Sequence, residues 1–141
     1  MKITVNFAKP QDHERVILAY DTWGYRGSIT SEDTILMAER VGKLVGLVRM
    51  VPEEGTIVLR GMYVDPMNRG SGIGLHLLLE ATSWLGAREC YCVPYSHLLA
   101  FYQKGGFQEC DISRAPQFLQ DRVRDYLKRG REVLLMYRPS H

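Results

Sequence analysis

The sequence predicts a single mixed α/β domain whose sheet is antiparallel in its first half, and three observations carry this. Three strand-like runs, Thr34 to Arg40, Leu44 to Val51 and Thr56 to Val64, follow one another with only turn residues between them, which implies a meander. The last run stops at a proline and crosses a glycine-rich loop into a strongly apolar segment, Ile73 to Leu85. After that, short strand-like and helical stretches alternate to the last residues.

In chain order, Ile3 to Ala8 alternates as a strand does, and Pro10 opens an amphipathic helix with Val16, Ile17 and Tyr20 near one face. Residues 21–31 are punctuated by glycine and rich in aromatics, the signature of a loop with one short helical turn. Here Tyr20, Trp23 and Tyr25 could wall a pocket beside Asp21, which would suit a cationic amine; they could equally be packing aromatics. Val41-Gly42-Lys43 reads as a hairpin turn. Pro52-Glu53-Glu54-Gly55 reads as a second turn, its two glutamates a solvated pair.

Ile73 to Leu85 is apolar on most sides, as a helix buried against a sheet is, and Gly86 ends it. Glu89 to Val93 is a short strand, Tyr95 to Lys104 a helix stopped by Gly105-Gly106, and Phe107 to Asp111 another strand. Ala115 to Arg129 carries the apolar stripe Phe118, Leu119, Val123, Tyr126 and Leu127; Gly130 caps it, and Glu132 to Arg138 is the final strand.

Bulk properties exclude several classes. A length of 141 residues suits one domain, spanning 1–141, with one real core. The net charge is +2 and the basic residues are dispersed, so nucleic acid is not an expected partner. No run approaches the ~18 apolar residues of a membrane span, and the opening residues contain no long apolar stretch, so a cytoplasmic protein is expected. The three cysteines cannot form a complete disulfide set. Cys90 and Cys92 would share one strand face, and with Cys110 and His97 they match no common zinc spacing. No metal is expected, and the thiols read as reduced core residues.

The chemistry concentrates in Met62-Tyr63-Val64-Asp65-Pro66-Met67-Asn68-Arg69-Gly70-Ser71-Gly72-Ile73-Gly74-Leu75. Without Cβ atoms, the glycines let successive N–H groups point into one concavity at the positive end of a helix. Such a loop cradles phosphate, and Arg69 could add a fixed charge. A Rossmann fingerprint fails by one residue, with Leu75 where its third glycine belongs, and a Walker loop fails because no lysine follows Gly74. A ligand-free glycine turn would carry the same short core.

The string Val64-x-Pro66-x-x-Arg69-Gly70-x-Gly72-Ile73-Gly74 resembles the acyl-CoA pyrophosphate loop of the GNAT family of N-acetyltransferases, its R/Q-x-x-G-x-G/A core falling on Arg69, Gly72 and Gly74. The element order is similar to that family's fold, in which the fourth and fifth strands run parallel and splay apart. A second segment, Phe101-Tyr102-Gln103-Lys104-Gly105-Gly106-Phe107, resembles the family's F/L-Y-x-K-x-G-F string. The sequence departs from the family at Tyr95, where an asparagine is frequent seven residues before the tyrosine.

The resemblance implies direct transfer of an acetyl group from acetyl-CoA, as cosubstrate, to a primary amine of a small molecule or protein. Met62, Tyr63 and Val64 would offer backbone groups to the pantetheine, residues 69–75 (Arg69, Gly70, Ser71, Gly72, Ile73, Gly74, Leu75) would hold the pyrophosphate, and Tyr102 would protonate the departing thiolate. Tyr102 could instead be a core aromatic. No residue stands out as a general base, and His97 reads as exposed or capping. The alternative function is a non-catalytic acyl-CoA sensor that keeps the loop. The Ala115–Arg129 helix would border the acceptor pocket or form a homodimer contact.

Overall fold

The computed structural model describes residues 2–25 and 27–140. Its strands are β1 (Thr4–Phe7), β2 (Thr34–Arg40), β3 (Lys43–Glu53), β4 (Thr56–Val64), β5 (Cys90–Cys92), β6 (Gln108–Glu109) and β7 (Met136–Arg138). The helices are α1 (His13–Thr22), α2 (Ile73–Leu85), α3 (Leu99–Gln103) and α4 (Gln117–Lys128). The strands form one sheet in the order β1-β2-β3-β4-β5-β7-β6. Neighbours are antiparallel from β1 to β4, β4 and β5 are parallel, and β7 pairs antiparallel with both β5 and β6. This is the predicted mixed α/β sheet. The insertion of the last strand between β5 and β6 is the feature that the linear order does not carry.

Period-two alternation distributes the apolar residues over both sheet faces. On one face Leu36, Ala38, Val48, Met50, Leu59, Cys90, Cys92 and Met136 meet Ile73, Leu77, Leu78, Ala81 and Leu85 of α2. On the other face Ile35, Met37 and Leu47 pack under Val16 and Tyr20 of α1, while Val58, Tyr91, Leu135 and Tyr137 pack under Leu119 and Val123 of α4. The result is a three-layer sandwich with β3 and β4 at its centre. Among the described residues, no helix is long and apolar enough to cross a membrane.

The bounds of β2, β4 and α2 coincide with the predicted ones. Others are shorter for local reasons. The expected strand Phe107–Asp111 reduces to two residues, because the Asp111 carboxylate accepts from the Ser113 N–H at 2.9 Å and turns the chain into a 3-10 turn, Ile112–Arg114. The expected strand Glu132–Arg138 pairs continuously only from Met136, with one isolated bridge from Val133 to Tyr95. Tyr95–Lys104 divides into a 3-10 turn, Ser96–Leu98, followed by α3. Glu53 is not the exposed half of a solvated pair: its carboxylate takes both terminal nitrogens of Arg122, at 3.0 and 2.5 Å, and anchors α4 to the end of β3.

Both tight hairpins use two residues at positive φ: Val41 (53°) with Gly42 (74°), and Glu54 (50°) with Gly55 (79°). A β-branched residue is strained there, and Val41 is 84% exposed, so its side chain contributes little burial in return. Val41→Asn should therefore stabilise the protein by about 1 kcal/mol, read as a midpoint rise of a few degrees in thermal unfolding.

Candidate active site

β4 and β5 pair at only two positions, Val58 with Tyr91 and Leu59 with Cys92, and then part. A bulge re-aims β4 at that point: between the pairs Arg49–Arg60 and Leu47–Tyr63 it uses one residue more than β3. Gly61 sits in the bulge at φ +65°. A Cβ there would lie 2.5 Å from the Tyr20 hydroxyl oxygen, and that hydroxyl donates to the Gly61 carbonyl at 2.7 Å. Among the described residues, β4 from Arg60 to Val64 has no strand partner on its β5 side, so its backbone edge faces the gap. The gap is a cleft of about 230 Å³.

A buried ion pair supports the bulge from behind. The Arg49 guanidinium donates to Asp33 at 2.8 Å and to the Ser28 carbonyl at 2.9 Å, with both charged side chains essentially excluded from water. Burial opposes the charge on Arg49, but Tyr20, Asp33 and Tyr25 around it more than offset that. Burial also holds the Tyr20 phenol protonated. The predicted aromatic group therefore divides. Tyr20 is a packed strut, Tyr25 lines the cleft, and Trp23 stacks on Tyr63 with ring centroids 5.3 Å apart, outside the cleft. Asp21 is not part of the cleft wall.

At the far end of β4, Asp65 accepts from the Met67 N–H at 3.2 Å and from the Asn68 side chain at 3.2 Å, while Ser71 donates to the Asn68 carbonyl at 2.7 Å. These bonds fold residues 65–71 into a compact loop. Gly70 (φ +87°) and Gly72 (φ +82°) carry it into α2, and a Cβ on either would meet no protein atom within 4 Å. No backbone N–H from Arg69 to Leu75 donates to a protein acceptor among the described residues. Unpartnered amides beneath open space, at a helix N-terminus, fit an anionic pyrophosphate. Gly74 lies between Val64 of β4 and Phe101 of α3, which sets the loop at the mouth of the splay. Arg69 folds back: its Nε donates to the Val64 carbonyl at 3.0 Å and its guanidinium stands 5.0 Å from the centre of the Tyr63 ring. Its terminal nitrogens have no protein partner among the described residues.

Tyr102 of α3 lines the cleft with Cys92, Leu98 and Met62. Its ring is 6% exposed and packs edge-on against Phe101 and Phe107, yet its hydroxyl makes no protein hydrogen bond among the described residues. Burial raises its ionisation well above the ordinary phenol value of 10.0, so it stays a proton donor. Burial pushes Cys90 up to about 12 and raises Cys92 in the same direction, so both are inert thiols. His97 is exposed and stacked on Tyr95.

Among the described residues, no aspartate, glutamate or histidine lines the cleft, and the charged ones that do are Arg60, Arg122 and Arg131. None of these three stands out in the sequence as a site residue, because they come together only through the β4–α4 packing. Arg60, like Arg49, could have been marked as a lone charge inside an apolar strand run.

The site thus combines a splayed parallel strand pair, a glycine loop at a helix N-terminus and a phenol in the gap. The chain belongs to the acetyltransferase (GNAT) domain family, whose model matches residues 31–109. No curated protein matches the sequence. Among solved structures, the fold is similar to N-acetylglutamate synthase from Neisseria gonorrhoeae, complexed with coenzyme A and N-acetyl-glutamate (TM-score 0.70, 18% identity). That match covers 100% of this chain but 36% of the synthase, so the chain spans about a third of that enzyme's length. An acetyltransferase of the GNAT family from Streptococcus pneumoniae matches over 96% of this chain and 98% of its own, at TM-score 0.68 and 19% identity. An Arabidopsis thaliana protein in complex with the bisubstrate analogue CoA-Ac-MVNAL matches over 97% and 98%, at TM-score 0.66 and 16% identity. Likeness at these identities establishes the fold.

Proposed function

We propose that this domain, residues 1–141, transfers an acetyl group from acetyl-CoA directly to a primary amine of a small molecule or protein. The observation that carries the reading is the parting of β4 and β5 after two paired residues. It supports the reading because Arg60, Gly61, Met62 and the Tyr102 phenol line one cleft, while Gly74 of the glycine loop lies against Val64 and Phe101.

Bound acetyl-CoA supplies an activated thioester. The amides of residues 69–75 hold its pyrophosphate, and the free edge of Met62, Tyr63 and Val64 binds the pantetheine arm as an added strand would. An N–H on the same edge stabilises negative charge developing on the carbonyl oxygen. The amine nitrogen bonds to the acetyl carbon as the carbon–sulfur bond breaks; one proton leaves the nitrogen and one reaches the sulfur. Tyr102 delivers the second. With no carboxylate or imidazole in the cleft wall among the described residues, the first leaves through water.

The test is thiol release from acetyl-CoA against a panel of primary amines. Amine-dependent release with a matching acetylated product is expected. Binding of acetyl-CoA without release by any amine would mark a non-catalytic sensor instead.

A further inference from the structure

The three guanidiniums in the cleft wall have no part in holding acetyl-CoA in the reading above. Arg60 and Arg122 converge on one carboxylate, Glu53, at 3.6 and 2.5 Å. Arg122 and Tyr126 lie four residues apart on one face of α4, and Arg131 stands over the Tyr126 ring at 5.0 Å from its centre. Among the described residues, the Arg131 side chain has no carboxylate partner. Among the described residues, three guanidiniums against one carboxylate leave an excess of two positive charges on a small cleft without acidic lining.

We infer that the acceptor is a small amine that also carries an oxyanion, a carboxylate or a phosphate, which Arg131 and Arg60 bind. The inference rests on the acetyltransferase reading and narrows its substrate class. A guanidinium edge matches either oxyanion through paired N–H donors, and Arg131 is already oriented by its stack on Tyr126. A cleft of about 230 Å³ suits a compact acceptor, being smaller than the ~300–1,000 Å³ of typical drug-sized ligand sites. A polyamine or a lysine in a basic segment would instead meet like charge. The same cations lower the pKa of a bound ammonium, which favours the reactive free amine in a cleft whose described lining has no carboxylate or imidazole to take its proton.

The experiment compares matched amines with and without the anion in the acetyl-CoA thiol-release assay: tyrosine with tyramine, lysine with cadaverine, and phosphoethanolamine with ethanolamine. The anionic member of at least one pair should be preferred by about tenfold or more in kcat/KM, the discrimination expected of one charge-assisted contact. Preference confined to tyrosine and lysine identifies carboxylate; preference confined to phosphoethanolamine identifies phosphate. Arg131→Gln should raise KM for that acceptor about tenfold with kcat and acetyl-CoA affinity little changed, and Arg131→Lys should recover part of the loss. Arg124→Gln, the same charge change on α4 outside the cleft, should alter neither. Equal or better use of the decarboxylated or dephosphorylated amines would overturn the inference while leaving acetyl transfer standing. So would an Arg131→Gln enzyme with unchanged KM. Failure of every amine to release thiol would remove the acetyltransferase reading, and the inference with it.

Discussion

Tyr102→Phe is expected to lower kcat by ~10²-fold or more while acetyl-CoA binding changes little. The substitution removes only the hydroxyl, which makes no protein hydrogen bond among the described residues, and it keeps the edge-on ring contacts to Phe101 and Phe107. Folding should therefore survive, and a loss of turnover reports on chemistry. Because burial raises the ionisation of the phenol above 10.0, its proton is retained throughout the working range. The wild-type kcat profile should accordingly rise with pH as the bound amine loses its proton, and show no falling limb below about pH 10. A thiolate with pKa near ~8.5 is a tolerable leaving group unaided, which bounds the effect from above. A Phe variant within about twofold of wild type, with chemistry rate-limiting, would make Tyr102 a core aromatic only.

Asp33→Ala should destabilise the fold by ~3 kcal/mol or more. The carboxylate is the partner of a guanidinium that is about 1% exposed, and the Arg49 Nε already lacks a hydrogen bond among the described residues. Removing Asp33 leaves that charge buried and uncompensated, beneath the bulge that Tyr20 and Gly61 shape. Replacing both partners with apolar residues, Asp33→Leu with Arg49→Met, should recover much of the loss, since an isosteric apolar pair avoids the desolvation cost. Urea unfolding reads both. A single variant within 1 kcal/mol of wild type would show that the pair does not support the site.

The legible parts of this fold are those in which local signals agree. Thr34–Arg40, Thr56–Val64 and Ile73–Leu85 have the bounds that the sequence predicts, because turn residues, β-branched runs and an apolar helix stretch point the same way. The glycine loop was legible for the same reason: its conformation is set within a few residues. What sequence reading missed is non-local. Insertion of β7 between β5 and β6 depends on pairing across the chain, not on anything in Met136–Arg138. Glu53 looked like a turn residue and is an anchor because Arg122 meets it from α4. The Gly61 bulge and the Arg49–Asp33 pair did leave traces, a glycine and a lone arginine inside strand runs. Their meaning needed the partner strands. Convergence of Arg60, Arg122 and Arg131 on one cleft arises only from the packing of α4 against the sheet.

The most direct measurement is a calorimetric titration of acetyl-CoA into the wild-type protein and into Gly72→Val. Gly72 takes φ +82° and a Cβ there would project into open space above the unpartnered amides, where a pyrophosphate would lie. Wild-type protein should bind, and the folded variant should bind at least about fivefold more weakly, a loss of ~1 kcal/mol or more. Unchanged acetyl-CoA affinity in a folded Gly72→Val variant would contradict a phosphate cradle at residues 69–75.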